Sequence, residues 1–249
     1  MRLFWHELRA EQKLYWRSRE LAFFTFLLPI VIFFLLGSVY GEDRIDNVKG
    51  SRYLVAGMLG YGVVATTFAG LSIVLVIRRE NGILKRLRAT PLPAWAYLGA
   101  VLLSTLFVFA IEAVALILLG RAVFGVPFPH RVFSIVLVLL LSALAFMALG
   151  LAVTALVKSA EGSSAAINAI YLPMLFISGS FFSPHSFPRF LRAIADVLPL
   201  TYVIRLLRDV MLHGHEIWAK PGWVAAIAAW GLVGALAAAR GFRWEPHED

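Results

Sequence analysis

Long apolar runs separated by short polar segments make up most of this chain. Six runs approach the ~20 apolar residues that a helix needs to cross the hydrocarbon core of a membrane. They are residues 21–40, 53–77, 97–119, 132–157, 165–182 and 222–239. The fifth run is the shortest and contains Pro173 and Gly179. The pattern predicts an all-α membrane protein with six transmembrane helices in a single transmembrane domain, residues 1–249.

Two segments outside these runs have the residue spacing of amphipathic helices. Residues 1–20 place aromatic residues such as Trp5 and Trp16 near one face, with basic residues elsewhere, which predicts an interfacial helix lying along the membrane surface. Residues 183–221 are punctuated by Pro184, Pro188 and Pro199, and an apolar stripe at helical spacing follows. This second segment predicts an extracytoplasmic region of short outer-face helices before the last span.

The last predicted span carries small residues at every fourth position. Gly231, Ala235 and Ala239 fall on one helical face in a small-x-x-x-small pattern. Because small residues let two helix backbones approach closely, we expect this face to pack against a neighbouring helix.

Residues 78–95 form a cationic segment between two predicted spans. The segment carries five basic residues and one acidic residue, and it has an apolar stripe of Ile83, Leu84 and Leu87. Two prolines follow the stripe, which predicts a short helix with a defined end. Lys and Arg resist translocation, so we expect this segment on the cytoplasmic side, where its apolar stripe has a partner to dock against.

Orientation follows from the distribution of positive charge. The N-terminal segment and residues 78–95 each carry five Lys or Arg residues, more than the short loops on the opposite side. Six spans place both termini on the same side of the membrane. We therefore predict a multi-pass protein of the cell (inner, cytoplasmic) membrane with both termini in the cytoplasm.

Composition changes this picture little but excludes several classes of protein. Hydrophobic residues make up 60% of the chain and charged residues 15%, whereas a soluble domain has roughly 45–50% and about 25%. The net charge of +8 comes from residues that flank apolar runs, so it indicates membrane topology and membrane lipid as a partner, with no nucleic acid. The chain has no cysteine, which excludes disulfides and thiolate metal sites.

Motifs for catalysis are absent from the sequence. None of the nineteen glycines is followed by lysine, so no P-loop is present, and the Gly-x-Ser-x-Gly pattern of a nucleophile elbow is also missing. His213 and His215 form a close pair, but no third ligand of metal-like spacing accompanies them. We therefore predict no catalytic residues, no metal and no cofactor in this chain.

Three polar residues fall inside the predicted spans. Glu112 lies well within the third span, where a carboxylate is costly and is expected to face the bundle interior, a partner or water. Glu112 is either a contact along a transport pathway or a group that holds helices together. Asn168 and Tyr171 are three residues apart on the fifth span and share a face. They either line a pathway or bridge helices by hydrogen bonds.

Three segments, in chain order, resemble those of one known family. Residues 79–91 (Arg-Glu-Asn-Gly-Ile-Leu-Lys-Arg-Leu-Arg-Ala-Thr-Pro) are similar to its Glu-x-Gly-x-Leu…Leu…Thr-Pro cytoplasmic segment. Residues 168–184 resemble a fifth span that ends in a Ser-Gly-x-Phe-Phe-Pro-like turn, with Ser183 inserted here. Residues 198–208 resemble an Asn-Pro-Leu-Thr-Tyr segment, with Leu198 in place of Asn. The chain thus resembles the permease subunit of an ABC-2 type exporter.

The resemblance implies a machine of several subunits. Two permease subunits, as a homodimer or heterodimer, would work with two ABC ATPase subunits that bind ATP and Mg, and would move an amphiphilic drug, lipid or glycan outward. Residues 78–95 would be the coupling helix and residues 1–20 the connecting helix. Leu84 and Leu87 would be anchors in the ATPase, with charged residues setting the registration. The ATPase-coupling residues would be Arg79, Glu80, Gly82, Leu84, Arg86, Leu87, Thr90 and Pro91.

Two other functional classes remain open. An ion- or proton-coupled secondary transporter would need charged or broken helices near the middle of the membrane, typically in paired repeats. The sequence offers Glu112 but no internal repeat. A membrane-embedded enzyme would need a nucleophile and a base, and no such arrangement is visible.

Overall fold

A computed structural model of the protein describes residues 2–46 and 48–246. These residues are almost entirely helical, which confirms the predicted all-α class. A two-stranded antiparallel ribbon pairs Arg44–Ile45 (β1) with Val48–Lys49 (β2). The helices are α1 (Arg2–Arg17), α2 (Arg19–Tyr40), α3 (Gly50–Glu80), α4 (Ile83–Arg88), α5 (Ala94–Phe124), α6 (Val132–Thr154), α7 (Ser163–Ile177), α8 (Arg189–Ala195), α9 (Pro199–His213) and α10 (Pro221–Gly241).

Five of these helices are long and apolar enough to cross a membrane, namely α2, α3, α5, α6 and α10. The fifth predicted span instead contains α7, an apolar helix of 15 residues. Its length of about 22 Å is shorter than the ~30 Å hydrocarbon core. The count of six spans is therefore not confirmed by helix length and stays a prediction.

Helix α3 is the centre of the structure. In its most apolar 18-residue window, 72% of the residues are buried, compared with 17% for both α2 and α10. It packs against α2, α5, α6 and α9. With 31 residues, α3 is about 46 Å long. We call its two ends the α4 end, where it finishes at Glu80, and the α9 end, where it begins at Gly50.

The middle of α3 departs from regular α-helical winding. Residues Val63–Gly70 form a π-helical segment. Hydroxyl groups bond to backbone carbonyls in and beside it: Thr67 Oγ1 donates to Val63 O at 2.6 Å, and Ser72 Oγ donates to Phe68 O at 2.6 Å. Ser72 Oγ also lies 2.9 Å from Gly150 O on α6. In a π-helical segment the backbone hydrogen bonds of the carbonyl groups are rearranged. The threonine and serine hydroxyls give the carbonyls of Val63 and Phe68 an additional hydrogen-bond donor.

Helices α6 and α10 pack closely through small residues. A Cβ atom added at Gly234 would lie 2.6 Å from the backbone nitrogen of Leu149, so this position accommodates only glycine without a shift. Ala238 is buried on the same side of α10, whereas Ala235 and Ala239 are exposed. The predicted small-residue face is therefore wrong at Ala235 and Ala239, whereas a Cβ atom added at Gly231 would lie 3.0 Å from Ala145 Cβ on α6, so the packing surface runs through Gly231, Gly234 and Ala238.

Candidate functional site

The predicted coupling segment contains a short, well-defined helix. α3 ends at Glu80, and Gly82 has a φ of +68°, a left-handed conformation that favours glycine and lets the chain begin α4 in a new direction. At the other end, Thr90 Oγ1 donates to Leu87 O at 2.6 Å, and the exposed Pro91 follows. Gly82, Thr90 and Pro91 therefore shape the helix ends.

The apolar stripe of α4 faces mainly the protein's own interior. Leu84 is 0% exposed, and Leu87 is half-buried against the core, whereas Ile83 is 40% exposed. The prediction that Leu84 is an anchor for a partner is corrected by this burial, because a side chain enclosed in its own core has no surface to offer. Leu84 fastens α4 to this chain, and Ile83 is the apolar residue available to another one.

Arg79 is also internal. Its side chain is 1% exposed, and it donates to Thr154 O at 2.6 Å, to Val157 O, and to Glu80 Oε1 at 2.6 Å. Thr154 is the last residue of α6, so Arg79 bonds to carbonyls that a helix end leaves without partners. Arg79 therefore joins the end of α3 to the end of α6, and the ATPase-coupling role expected for it stays a prediction.

Arg78 joins the same end of α3 to α1. Its guanidinium bonds Glu11 in a bidentate pair at 2.7 and 2.8 Å and lies 3.0 Å from Tyr97 Oη on α5. The Arg78 and Glu11 side chains are 17% and 8% exposed. A second link joins α1 to α5, since Gln12 Nε2 lies 2.8 Å from Ser104 Oγ. The one sequence feature that points to this contact is the presence of carboxylates such as Glu11 in the amphipathic segment of residues 1–20.

The exposed surface of α4 is cationic. Lys85, Arg86 and Arg88 are all exposed on α4. Arg86 Nη2 lies 3.2 Å from Asn81 O, and Arg88 Nη1 lies 3.6 Å from Glu245 Oε1. These exposed contacts are weak, so the cations remain available to a partner with acidic groups.

Glu112 lies in the middle of the bundle, where α5 faces the π-helical segment of α3. The residue is 1% exposed, and Thr66 Oγ1 donates to its Oε2 at 2.6 Å. A Cβ atom added at Gly62 would lie 2.9 Å from Glu112 Oε1, so glycine leaves the space that this carboxyl group fills. Within the described residues, Oε1 has no hydrogen-bond partner. Sequence reasoning missed both Thr66 and Gly62.

The other two candidate pathway residues lie on α7. Asn168 and Tyr171 are both half-buried, and Tyr171 packs against the hydrophobic core. Among the described residues, no hydrogen bond joins either of them to Glu112. The structure therefore places these residues at the edge of the core, and both interpretations of them stay open.

A cavity of about 380 Å³ lies at the α9 end. Ser178 Oγ, Thr201 Oγ1 and Arg208 Nε belong to residues that line it, and within the described part of the chain these buried atoms have no hydrogen-bond partner. The Arg208 guanidinium lies 3.5 Å from the centre of the Tyr53 ring and donates to Gly179 O at 2.6 Å. Burial lowers the pKa of Arg208 to about 10, so the side chain is still cationic at neutral pH.

His213 lines the same cavity, and the histidine pair has a third neighbour. Asp209 Oδ1 lies 3.5 Å from His213 Nδ1 and 3.0 Å from His215 Nδ1. The expectation that no third ligand accompanies the pair was wrong. Asp209 lies one helical turn before His213, and Gly214, with a φ of +70°, returns the chain so that His215 meets the same carboxylate.

Comparisons with known proteins agree over most of the chain. The model of the ABC-2 type transporter family matches residues 2–212. Nodulation protein J of Rhizobium leguminosarum bv. trifolii is 30% identical over 196 residues, which cover 76% of this chain and 72% of that protein. YvfS of Bacillus subtilis, named as a transport permease, is 23% identical over 211 residues, covering 84% and 85%. ABC transporter G family member 20 of Dictyostelium discoideum is 26% identical over 188 residues.

The extent of the match differs among the relatives. The match to the Dictyostelium protein covers 76% of this chain but only 25% of that protein. The resemblance carried by residues 79–91, 168–184 and 198–208 is confirmed by the family match. YvfS is named a permease, and the permeases of ABC transporters are components distinct from the ATPase. The chain is therefore a multi-pass membrane protein of the ABC-2 type transporter family, and this membership implies ABC-type transport in association with an ABC ATPase.

Proposed function

We propose that this protein is the permease subunit of an exporter that moves an amphiphilic substrate outward across the cell inner membrane. Two such permeases would work with two ATPase subunits that bind ATP and Mg, and both termini would lie in the cytoplasm. One observation carries the proposal: Arg78 and Arg79 fasten the end of α3, next to the coupling segment, to two other helices.

These arginines make the α4 end a single mechanical unit. Arg78 holds α1 through Glu11, and Arg79 holds the end of α6. The burial of Leu84 fixes α4 to the same unit. A displacement of α4 by a closing ATPase pair would therefore move several helices together as a rigid body, which is the way that domain closure is transmitted between subunits.

The exposed face of α4 suits docking to an ATPase. Ile83 supplies an accessible apolar anchor, and Lys85, Arg86 and Arg88 supply cations that complement an acidic groove. Trp95, 64% exposed at the start of α5, adds an aromatic residue to this surface. The same segment thus combines an anchor with charges that set registration, although the anchor differs from the one expected from the sequence.

An amphiphilic cargo is supported by one relative and by the apolar surface. YbhS of Escherichia coli, whose name describes a multidrug ABC transporter permease, is 23% identical over 156 residues, 61% of this chain and 41% of that protein. Most residues in the apolar stretches of α2 and α10 are not buried within this chain. Those faces are available to lipid, to an amphiphile that enters from the membrane, and to a second permease.

The test is the ATPase activity of the permease purified with its ATPase. We expect Ile83→Asp to reduce substrate-stimulated hydrolysis at least tenfold, because a charge replaces the accessible anchor. Val197→Asp is the matched control, since Val197 is an exposed apolar residue at the α9 end. Undiminished complex formation and hydrolysis in Ile83→Asp would exclude α4 as the docking element.

The burial of Glu112 favours the second candidate, an ion- or proton-coupled secondary transporter, because one oxygen of this acidic side chain has no hydrogen-bond partner among the described residues. Proteoliposomes that contain the permease alone distinguish the two. We expect no transport under an imposed proton gradient; gradient-driven transport that Glu112→Gln abolishes would support the carrier. In the complete complex, a loss of transport with normal assembly would assign Glu112 to the pathway, and a loss of assembly alone would assign it to structure.

A further inference from the structure

We infer that Asp209, His213 and His215 form a binding site for a divalent transition-metal ion. One ligand atom from each residue can be chosen so that all three lie within 4.8 Å of one another. The two imidazole rings have centroids 5.8 Å apart. This inference does not depend on the proposed transport function, because it concerns the α9 end and can be tested on the permease alone.

The local fold brings the three side chains together. Asp209 and His213 are four residues apart on α9, so they lie on the same face of the helix. Gly214 ends α9 in a left-handed conformation with a φ of +70°. That turn places His215 against the carboxylate, with Nδ1 at 3.0 and 3.1 Å from the two oxygens of Asp209. The sequence spacing alone does not reveal this return of the chain.

The two distances from the carboxylate to the imidazoles are close to those of a tetrahedral zinc site. Ligand atoms about 2.0–2.1 Å from a tetrahedral ion lie about 3.3 Å from one another. The carboxylate oxygen of Asp209 is 3.5 Å from His213 Nδ1 and 3.0 Å from His215 Nδ1. Two imidazoles and a carboxylate suit Zn²⁺ and its neighbours among the divalent transition metals, and three protein ligands leave a position for water.

The loop that carries His215 is held in place on both sides. Arg131 Nε lies 3.3 Å from Gly214 O, and Arg131 Nη1 lies 2.8 Å from Glu216 Oε1. Ser134 Oγ donates to Glu216 Oε2 at 2.5 Å. Because these bonds attach the loop to the start of α6, His215 is positioned before an ion arrives, which lowers the cost of assembling the site.

The nearby cations are engaged elsewhere. Arg205 pairs with Asp196 at 2.5 Å, and Arg192 Nη2 donates to His185 O at 2.6 Å. The Arg208 guanidinium is stacked on Tyr53 and bonds Gly179 O. These contacts use the positive charges that line the same cavity, so the carboxylate of Asp209 is left to the two histidines. A bound ion would fasten the end of α9 to the loop before α10 and so fix one wall of the cavity.

Zinc titration of the purified permease tests this inference. The protein carries a tag without histidine, is stripped of metal in detergent, and is titrated with Zn²⁺ against a chromophoric chelator. We expect one Zn²⁺ per chain, with affinity at least tenfold weaker in His213→Ala, in His215→Ala and in Asp209→Asn. His185→Ala is the control, since His185 is an exposed histidine lining the same cavity, and its affinity should equal that of the wild type.

Zn²⁺ should also raise the melting temperature of the wild type but not that of the His213→Ala/His215→Ala double variant. Both histidines are more than half exposed at the side chain, so these variants are expected to fold even if Asp209→Asn does not. Wild-type affinity no tighter than that of the double variant would overturn the site, as would loss of binding in His185→Ala alone.

Discussion

The two ends of α3 handle buried polar groups in opposite ways. At the α4 end, Arg78 and Arg79 are enclosed by a carboxylate and by backbone carbonyls that bond them directly. At the α9 end, Ser178 Oγ, Thr201 Oγ1 and Arg208 Nε have no hydrogen-bond partner among the described residues and surround a cavity. The α4 end is therefore bonded firmly to neighbouring helices, whereas the α9 end has polar groups that face a cavity.

This difference has a thermodynamic meaning. A buried polar group left without a partner costs roughly 1–3 kcal/mol, so such groups persist where water or a ligand can occupy the adjoining space. The cavity of about 380 Å³ at the α9 end provides that space. Satisfied bonds at the α4 end add rigidity instead. Mutations at the two ends should therefore differ in their cost to the folded state.

The largest effect is expected at Arg79. Arg79→Ala removes three buried hydrogen bonds and leaves two carbonyls and Glu80 with fewer partners, so we expect a loss of about 3 kcal/mol or more in the free energy of unfolding. Arg79→Lys should recover part of it, because an ammonium cannot bond in all three directions of the guanidinium. Thermal melting in detergent measures both, with the exposed Arg86→Ala as control. A wild-type melting temperature in Arg79→Ala would remove the basis of the comparison.

A smaller effect is expected for the pair of Glu11 and Arg78. A double-mutant cycle of Glu11→Gln and Arg78→Met should give a coupling of about 2 kcal/mol, because the bidentate pair is largely buried. Unfolding titrations with denaturing detergent supply the four free energies. Lys49 and Glu42, an exposed pair 2.8 Å apart near the α9 end, serve as the matched control and should show no measurable coupling. Equal couplings in the two cycles would contradict the distinction.

The smallest effect contrasts two threonines. Thr66→Val removes the hydrogen bond that Glu112 receives and should cost about 1–2 kcal/mol. Thr201→Val replaces a buried hydroxyl that has no partner among the described residues, so stability should be unchanged or slightly higher. The same unfolding titration compares the two. A Thr201→Val cost as large as that of Thr66→Val would show that the hydroxyl of Thr201 is bonded in solution.

The apolar runs were sufficient to predict the helical class and most of the long helices, because run length alone separates a membrane helix from a soluble one. The fifth run was less informative, since the turn after Ile177 ends the helix before the apolar stretch ends, while Pro173 lies within the helix. The motifs in residues 79–91, 168–184 and 198–208 were sufficient to identify the family. The coupling and pathway roles of individual residues stay predictions.

Contacts between distant segments could not be predicted from one sequence. An amphipathic stripe on α4 is compatible with facing the protein's own core or a partner, and only the fold shows that Leu84 is internal. Glu11 and Arg78 are 67 residues apart, so nothing local joins them. Asp209 meets His215 because of a left-handed turn at Gly214, a backbone conformation that glycine permits but does not require.

The π-helical segment Val63–Gly70 gives α3 a property that a uniform helix lacks. Return of this segment to α-helical hydrogen bonding would turn one half of α3 about its axis by roughly one residue, or about 100°, relative to the other. The side chains of Arg78 and Arg79 extend from α3 in directions that are also about 100° apart. Arg78 bonds to α1, and Arg79 bonds to α6. Because these contacts hold the α4 end of α3, such a change in winding would appear as a rotation of its α9 end.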